Sequence, residues 1–396
     1  MSQRLDPSTI ARRLEHVRSG LHAVPADALL VTHLPNIRYL TGFAGTAGAV
    51  ILLQQRCLLM VDSRYVTAAR ALASPLPDGL LAVEPVANSY DEAIAQAVTR
   101  EGIARLAIEA AHLTVARFNA LAALIHRNNP RPATTNGRPT TDERPAHDGL
   151  PTAGVLLATE RVVERVRMVK DAAEVATFRE AASRLSAIAR RLGEMAVPGR
   201  TEREVADLIE DAMRRAGFSH PAFDTIVASG PNSALPHASP TDRRLQSGDP
   251  TVLDFGGVYS GYCVDLTRTV QLGGISGEPG RLFAAVAEAQ KAAIAAVGPG
   301  ARPSQVDGAA RAVLERHGLG EAFGHGTGHG LGLEIHEDPR VGRPMANQPD
   351  DPLEPGVVIT IEPGAYVPGI GGVRIEDDVL VTANGCEVLT DVPTFL

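Results

Sequence analysis

Four carboxylates in the last third of the chain, Asp254, Asp265, Glu362 and Glu376, sit in strand-like contexts that a folded chain buries, so any fold must bring a compensating charge to them. Asp254 lies in Val252-Leu253-Asp254-Phe255-Gly256-Gly257, Glu362 in Ile359-Thr360-Ile361-Glu362-Pro363-Gly364, and Glu376 in Val373-Arg374-Ile375-Glu376-Asp377. Burying an uncompensated carboxylate costs on the order of several kcal/mol. A single buried Asp or Glu is more often a cap or an ion-paired structural residue; four of them in this arrangement point elsewhere. Asp254 and Asp265 flank Val258-Tyr259-Ser260-Gly261-Tyr262, a hairpin whose Ser-Gly turn brings both side chains to one place. Glu362 and Glu376 flank a second glycine-rich turn, Pro368-Gly369-Ile370-Gly371-Gly372, in the same way. With His329 as a fifth donor, the set matches a centre for two divalent ions about 3.5 to 4 Å apart. It contains no thiolate, which suits manganese, cobalt, iron or zinc better than a soft metal.

The rest of the chain divides around this centre. Its length exceeds what one core of ordinary size organises, so two domains are expected, over 1–150 and 151–396. In the first, strand-like runs (Ala28 to Thr32, Ala49 to Leu53, Cys57 to Val61, Leu106 to Glu109) alternate with helical ones (Asp91 to Arg100, Thr114 to His126), the pattern of a small α/β domain. Asn128 to Pro151 is rich in Pro, Thr, Asn, Gly and charge and reads as a surface loop or linker. Helix returns at Asp171, capped with Glu174 three residues on, and its apolar pattern runs through Met195.

An internal echo gives the second domain its symmetry. Val197-Pro198-Gly199 followed by Val205, Leu208, Met213 and Gly217 is repeated, at a constant offset, by Pro299-Gly300 followed by Val306, Ala309, Leu314 and Gly318. Each half then supplies helices and one acid-bearing hairpin. The expected fold is of the mixed α/β (α+β) class: an α/β sandwich with a pseudo-twofold axis and the ions between its halves.

The strings His325-Gly326-Thr327-Gly328-His329-Gly330-Leu331-Gly332-Leu333-Glu334-Ile335-His336-Glu337, Leu353-Glu354-Pro355-Gly356, Ile361-Glu362-Pro363-Gly364 and Arg374-Ile375-Glu376-Asp377 resemble those of the pita-bread metallopeptidases, family M24. Among these they look most like the Xaa-Pro peptidases, aminopeptidase P and prolidase. The resemblance covers about 160 to 396 without interruption. Asn36-Ile37-Arg38-Tyr39-Leu40-Thr41-Gly42-Phe43, Gly45-Thr46-Ala47-Gly48 and Asp62-Ser63-Arg64-Tyr65 are similar to the creatinase-like N-terminal domain of the same enzymes, which argues against a methionine aminopeptidase.

The resemblance implies a division of labour. Asp254, Asp265, His329, Glu362 and Glu376 would hold two divalent ions per subunit, manganese first, with cobalt or zinc as alternatives. Glu362 would also carry a proton towards the leaving nitrogen, and His237 and His336 would offset charge on the oxyanion. His325 would lie on the substrate side. Arg374, two residues before Glu376 and on the same face of a strand, would orient a ligand carboxylate or the substrate. The substrate would be a proline-containing peptide cut at its Xaa-Pro bond, a tertiary amide without an N–H to read. The N-terminal motifs are more like the aminopeptidase type than the dipeptidase type. A homodimer or higher homo-oligomer is implied, because Asp62 to Tyr65 resembles a segment bordering a neighbouring subunit's cleft.

A net charge of -8 without a basic cluster gives no electrostatic case for nucleic acid. Three scattered cysteines, no apolar leader and no run long enough to span a bilayer lead to the expectation of a cytoplasmic protein without membrane contact. Three other classes are open to such a chain: a creatinase-like amidinohydrolase working without metal, a non-catalytic binding module of the same fold, and a generic soluble α/β protein without metal, whose buried carboxylates would need another explanation. Metal analysis separates all three from a peptidase.

Overall fold

The computed structural model describes residues 5–128, 152–274, 277–346 and 348–394. These form two compact units, with the boundary between Arg167 and Met168. The N-terminal unit contains α1 (Pro7–Leu21), β1 (Ala28–Val31), α2 (Leu34–Thr41), β2 (Ala49–Leu53), β3 (Cys57–Asp62), α3 (Val66–Ala73), β4 (Leu81–Val86), α4 (Tyr90–Arg100), β5 (Leu106–Glu109), α5 (Val115–Asn128), β6 (Thr152–Ala153), β7 (Leu156–Thr159) and most of α6 (Val162–Met168). Its strands make one sheet in the order β4-β3-β2-β1-β5-β7-β6. Leu30, Ile51, Leu58 and Ile108 on the sheet close a core with Ile94 and Val98 of α4 and Leu121 and Ile125 of α5.

The division expected at 150/151 falls where residues lie outside the described set, as does nearly all of the Asn128 to Pro151 segment. The unit runs on to Arg167 because β7 continues the N-terminal sheet in parallel with β5, Leu106 opposite Leu156 through Glu109 opposite Thr159. Arg167 then donates to Asn36 Oδ1 at 2.6 Å.

The second unit begins with α7 (Ala172–Ala189), α8 (Leu192–Met195), α9 (Glu202–Arg215), β8 (Ile226–Ser229), β9 (Pro250–Tyr259) and β10 (Tyr262–Gln271). It continues with α10 (Gly277–Ala296), α11 (Pro303–Arg316), β11 (Gly328–Gly330), β12 (Glu337–Val341), β13 (Val358–Ile361), β14 (Gly364–Val367), β15 (Gly371–Arg374), β16 (Asp377–Thr382) and β17 (Gly385–Val388). Asp171 and Glu174 form the expected capping box. The expected single helix through Met195 is two helices, α7 stopping at Ala189 and α8 resuming at Leu192. The echoing segments are α9 and α11, each 14 residues long.

Three sheets result: β10-β9-β8, β12-β11-β13-β16-β17, and the pair β14-β15. Phe178, Leu185, Ile209 and Met213 of the first helices share a core with Leu253, Phe255 and Leu266 of the first hairpin. A second core joins Val286, Val306 and Leu314 to Ile359, Val373 and Val379. Each half thus has helices on a sheet, and the acids lie where the strands of both halves meet. Among the described residues, no helix is long and apolar enough to cross a membrane.

Candidate metal centre

The first acid pair is placed by register. β9 and β10 are antiparallel with Asp254 opposite Thr267 and Gly256 opposite Asp265, so both aspartates are on one face, one cross-strand step apart. The hairpin turns through Ser260 and Gly261, both with positive φ (50° and 91°), as a two-residue turn matched to strand twist requires.

The second pair is arranged differently from a simple hairpin. Ile361 of β13 pairs with Asp377 of β16, and the chain leaves that ladder at Glu362 and rejoins it after Glu376. The glycine-rich turn caps a separate small hairpin, β14–β15, so the two glutamates stand at its base, side by side at the end of the β13–β16 ladder. Backbone bonds then lock the segments together: Glu362 N–H donates to Thr327 O at 2.7 Å and Glu376 N–H to Thr267 O at 3.1 Å.

His329 enters on β11, between Gly328 and Gly330. A Cβ at Gly328 would sit 1.9 Å from Thr360 O, and one at Gly330 2.1 Å from Asp338 O, so only glycine lets β11 press between its neighbours. His329 Nδ1 faces Gly330 O at 3.0 Å. A carbonyl only accepts, so Nδ1 carries the hydrogen and Nε2 presents its lone pair. That lone pair looks towards Asp265 Oδ2 at 4.0 Å and Glu362 Oε1 at 3.9 Å.

The convergence is close. Asp265, His329 and Glu376 each present a ligand atom, all within 4.8 Å of one another. Asp254 and Asp265 are 8% and 5% exposed, and Oδ1 of each has no hydrogen-bond partner in the structure. Burial, then repulsion from Asp254, Asp378 and Glu362, pushes Asp265 well above the ordinary carboxylate range. Glu376 is raised in the same way by burial and by Asp265, Glu362 and Asp254. Burial lifts Glu362 to about 8, against the pull of Arg374. Burial also holds His325 and His329 neutral, lowering each to about 4. Orphaned anionic oxygens in a crowd of acids with a neutral imidazole suit hard or borderline divalent cations. Asp254, Asp265, His329, Glu362 and Glu376 are the residues that would hold them.

Arg374 Nη2 donates to Asp254 Oδ2 at 2.5 Å and Nη1 to Tyr366 Oη at 2.6 Å, with the side chain 4% exposed. Of the two readings offered by its spacing, orienting a carboxylate is the one this geometry matches. Tyr366 also meets His325 Nε2 at 3.0 Å, while His325 Nδ1 faces Gly326 O at 2.8 Å. The hydrogens therefore run one way: Arg374 donates to Tyr366, Tyr366 to His325, and His325 to a carbonyl. His336 lies edge-on to His329, ring centroids 4.4 Å apart. His237 is exposed on the loop after β8, near enough to depress both His325 and His336.

Several contributors carry no sequence motif of their own. Thr267 Oγ1 donates to Glu376 Oε2 at 2.6 Å, and Asp378 Oδ2 accepts the Asp265 N–H at 3.2 Å. Buried Glu202 accepts from Ser229, Asn232 and Thr241, pinning the loop that carries His237. Thr267 was within reach of sequence, since it shares a strand face with Asp265. Tyr366 was not, because only the β14–β15 register brings it to Arg374.

An α/β sandwich whose two halves converge on buried acids and a neutral imidazole is the architecture of a metal-dependent hydrolase. The family model of Metallopeptidase family M24 matches residues 176–383, and that of the Creatinase/Prolidase N-terminal domain matches residues 13–136. The chain is 34% identical to the uncharacterized peptidase YqhT of Bacillus subtilis over 96% of its own length and 98% of that protein's. It superposes on the Xaa-Pro dipeptidase from Bacillus anthracis with a TM-score of 0.85 at 34% identity, covering 98% of this chain and all of the other (100%). On the X-Pro aminopeptidase from Thermotoga maritima the TM-score is 0.78 at 30% identity, covering 96% and 100%. The chain belongs to metallopeptidase family M24 and is a hydrolase with the expected two-part α/β architecture.

Proposed function

We propose that this chain is an Xaa-Pro peptidase with two divalent ions per subunit, manganese foremost, and that its preferred substrates are Xaa-Pro dipeptides. The observations that carry the metal reading are the two buried, unpartnered oxygens, Asp254 Oδ1 and Asp265 Oδ1, and the convergence of Asp265, His329 and Glu376, whose ligand atoms all lie within 4.8 Å of one another. The dipeptide reading departs from the aminopeptidase expectation drawn from the N-terminal motifs. It rests on the greater likeness to the Bacillus anthracis dipeptidase than to the Thermotoga maritima aminopeptidase.

When bound, the ions supply Lewis acidity, making hydroxide available near neutral pH and polarising the scissile carbonyl. Glu362 accepts the proton released in the attack and passes it to the proline nitrogen, which leaves as a secondary amine. His237 and His336 stabilise charge on the carbonyl oxygen. Arg374 holds Asp254 against rotation, and Tyr366 and Gly326 fix His325 in one tautomer beside Glu362.

Proline release from an Xaa-Pro dipeptide and first-residue release from the matching Xaa-Pro-Xaa tripeptide, with manganese present, test the substrate reading. The dipeptide is expected to give the higher kcat/KM. A higher value for the tripeptide returns the assignment to the aminopeptidase type, and turnover of neither removes the Xaa-Pro reading.

A further inference from the structure

We infer a separate binding site for a zinc-like divalent ion in the N-terminal unit, built from His33, His112 and Glu164. Their donor atoms all lie within 4.8 Å of one another, the only such cluster among the described residues besides the acidic centre. His112 Nε2 is 3.3 Å from Glu164 Oε1. The two imidazoles are stacked, centroids 3.6 Å apart and planes 6° from parallel.

The backbone of this cluster is held in place by one residue. Glu109, at the end of β5, accepts the His33 N–H through Oε2 at 2.9 Å and the His112 N–H through its carbonyl at 3.2 Å. Asn36 spans the remaining distance, donating to Glu109 Oε1 at 2.7 Å and to Glu164 Oε1 at 2.6 Å. A carboxylate oriented by a side-chain amide, beside two imidazoles on anchored backbone, is the kind of outer support that metal ligands receive.

The donor chemistry selects the ion. Two imidazole nitrogens and one carboxylate oxygen form a three-protein-ligand set that zinc completes with solvent at a fourth position. Nickel and copper accept the same donors, whereas calcium and magnesium favour oxygen alone. An imidazole lone pair lies in the ring plane, and two parallel planes share no point, so the stack is the metal-free arrangement. Coordination at about 2.0 to 2.1 Å requires one ring to turn out of the stack. His112 and Glu164 are partly open to solvent and leave room for that turn.

The test is zinc counted by equilibrium dialysis and elemental analysis on the full chain after chelation, beside its H33A/H112A and Glu164→Gln variants. The H33A/H112A chain is expected to bind one zinc fewer than the parent, and Glu164→Gln to weaken that zinc by more than about tenfold, the least that losing even an outer-sphere partner costs. Glu164→Gln retains the acceptor for Asn36, so it reports on ligation if the double variant fails to fold. The difference in count is independent of how many ions the acidic centre holds, and an Asp265→Ala/Glu376→Ala chain is expected to keep the inferred zinc. Equal zinc content in the parent and in H33A/H112A overturns the site, as does unchanged affinity in Glu164→Gln.

Discussion

At the scale of single residues, the histidines of the second unit separate into those that would hold an ion and those that would meet charge. His329 is committed by its tautomer: Nδ1 is tied to Gly330 O and Nε2 is aimed at Asp265 and Glu362. His237 is exposed, and His336 touches the centre edge-on through His329. His237→Ala and His336→Ala are therefore expected to keep their ions and lose about a hundredfold to a thousandfold in kcat, the usual worth of an oxyanion donor. His329→Ala is expected to lose metal occupancy as well. Metal content and steady-state kinetics on one Xaa-Pro substrate check all three, and ion loss in His336→Ala equal to that in His329→Ala contradicts the division. The four candidate acids were legible in sequence because each places a charge within or beside an apolar or glycine-rich run, and His329 because of the His-Gly-Thr-Gly-His-Gly string in which it stands. Tyr366 and Asp378 were not: a tyrosine after Gly-Ala and the second of two aspartates carry no local signal, and only the folded register gives them partners at the site.

At the scale of elements, the hairpins do the positioning. β9–β10 was readable from its Ser-Gly turn and alternating pattern, and its register places Asp254 and Asp265 on one face. The second acid pair was read as a similar hairpin, whereas Glu362 and Glu376 stand at the end of the β13–β16 ladder, below the β14–β15 hairpin. Pro363 hides that arrangement in the sequence, because it ends one strand where a periodic reading continues it. Asp265→Ala and Glu376→Ala are each expected to abolish turnover by removing one of the residues that would hold the ions, without unfolding the chain. In the metal-free protein they relieve repulsion among buried acids, so their melting temperatures in chelator should equal or exceed the parent's. Parental turnover with metal bound, in either variant, contradicts the two-ion centre.

At the scale of the whole molecule, the buried acids make metal-free stability depend on pH with a defined sign. Glu362 titrates at about 8 when folded against 4.5 ordinarily, so the folded state holds a proton that the unfolded state has lost across that span. Asp265 and Glu376 are shifted in the same direction. Stability from these groups is present at low pH and is lost as pH rises towards about 8. His325 and His329, lowered from 6.5 to about 4, act oppositely, adding stability as pH rises from about 4 to 6.5. Above 6.5 only the acids still change in this group, so the melting temperature in chelator is expected to fall between 6.5 and about 8. Saturating manganese should remove that fall, because the cation replaces the proton. A chelated protein whose melting temperature rises over that interval contradicts the assignment of the acids. We also propose that the chain is at least a homodimer, supported by the likeness of Asp62 to Tyr65 to a subunit-bordering segment in this family. Light scattering at micromolar concentration is expected to give twice the chain mass or more, and a monomer refutes it.

On the proposed reading, hydrolysis of an Xaa-Pro bond is carried by two ions held by Asp254, Asp265, His329, Glu362 and Glu376. Its most direct test is a manganese titration of the chelated protein in which bound metal and proline release from an Xaa-Pro dipeptide are measured on the same samples. No proline release is expected without metal, and activity is expected to rise with occupancy and to level off when that centre holds two ions per subunit. Undiminished proline release from the metal-free protein, or none at full occupancy, contradicts it.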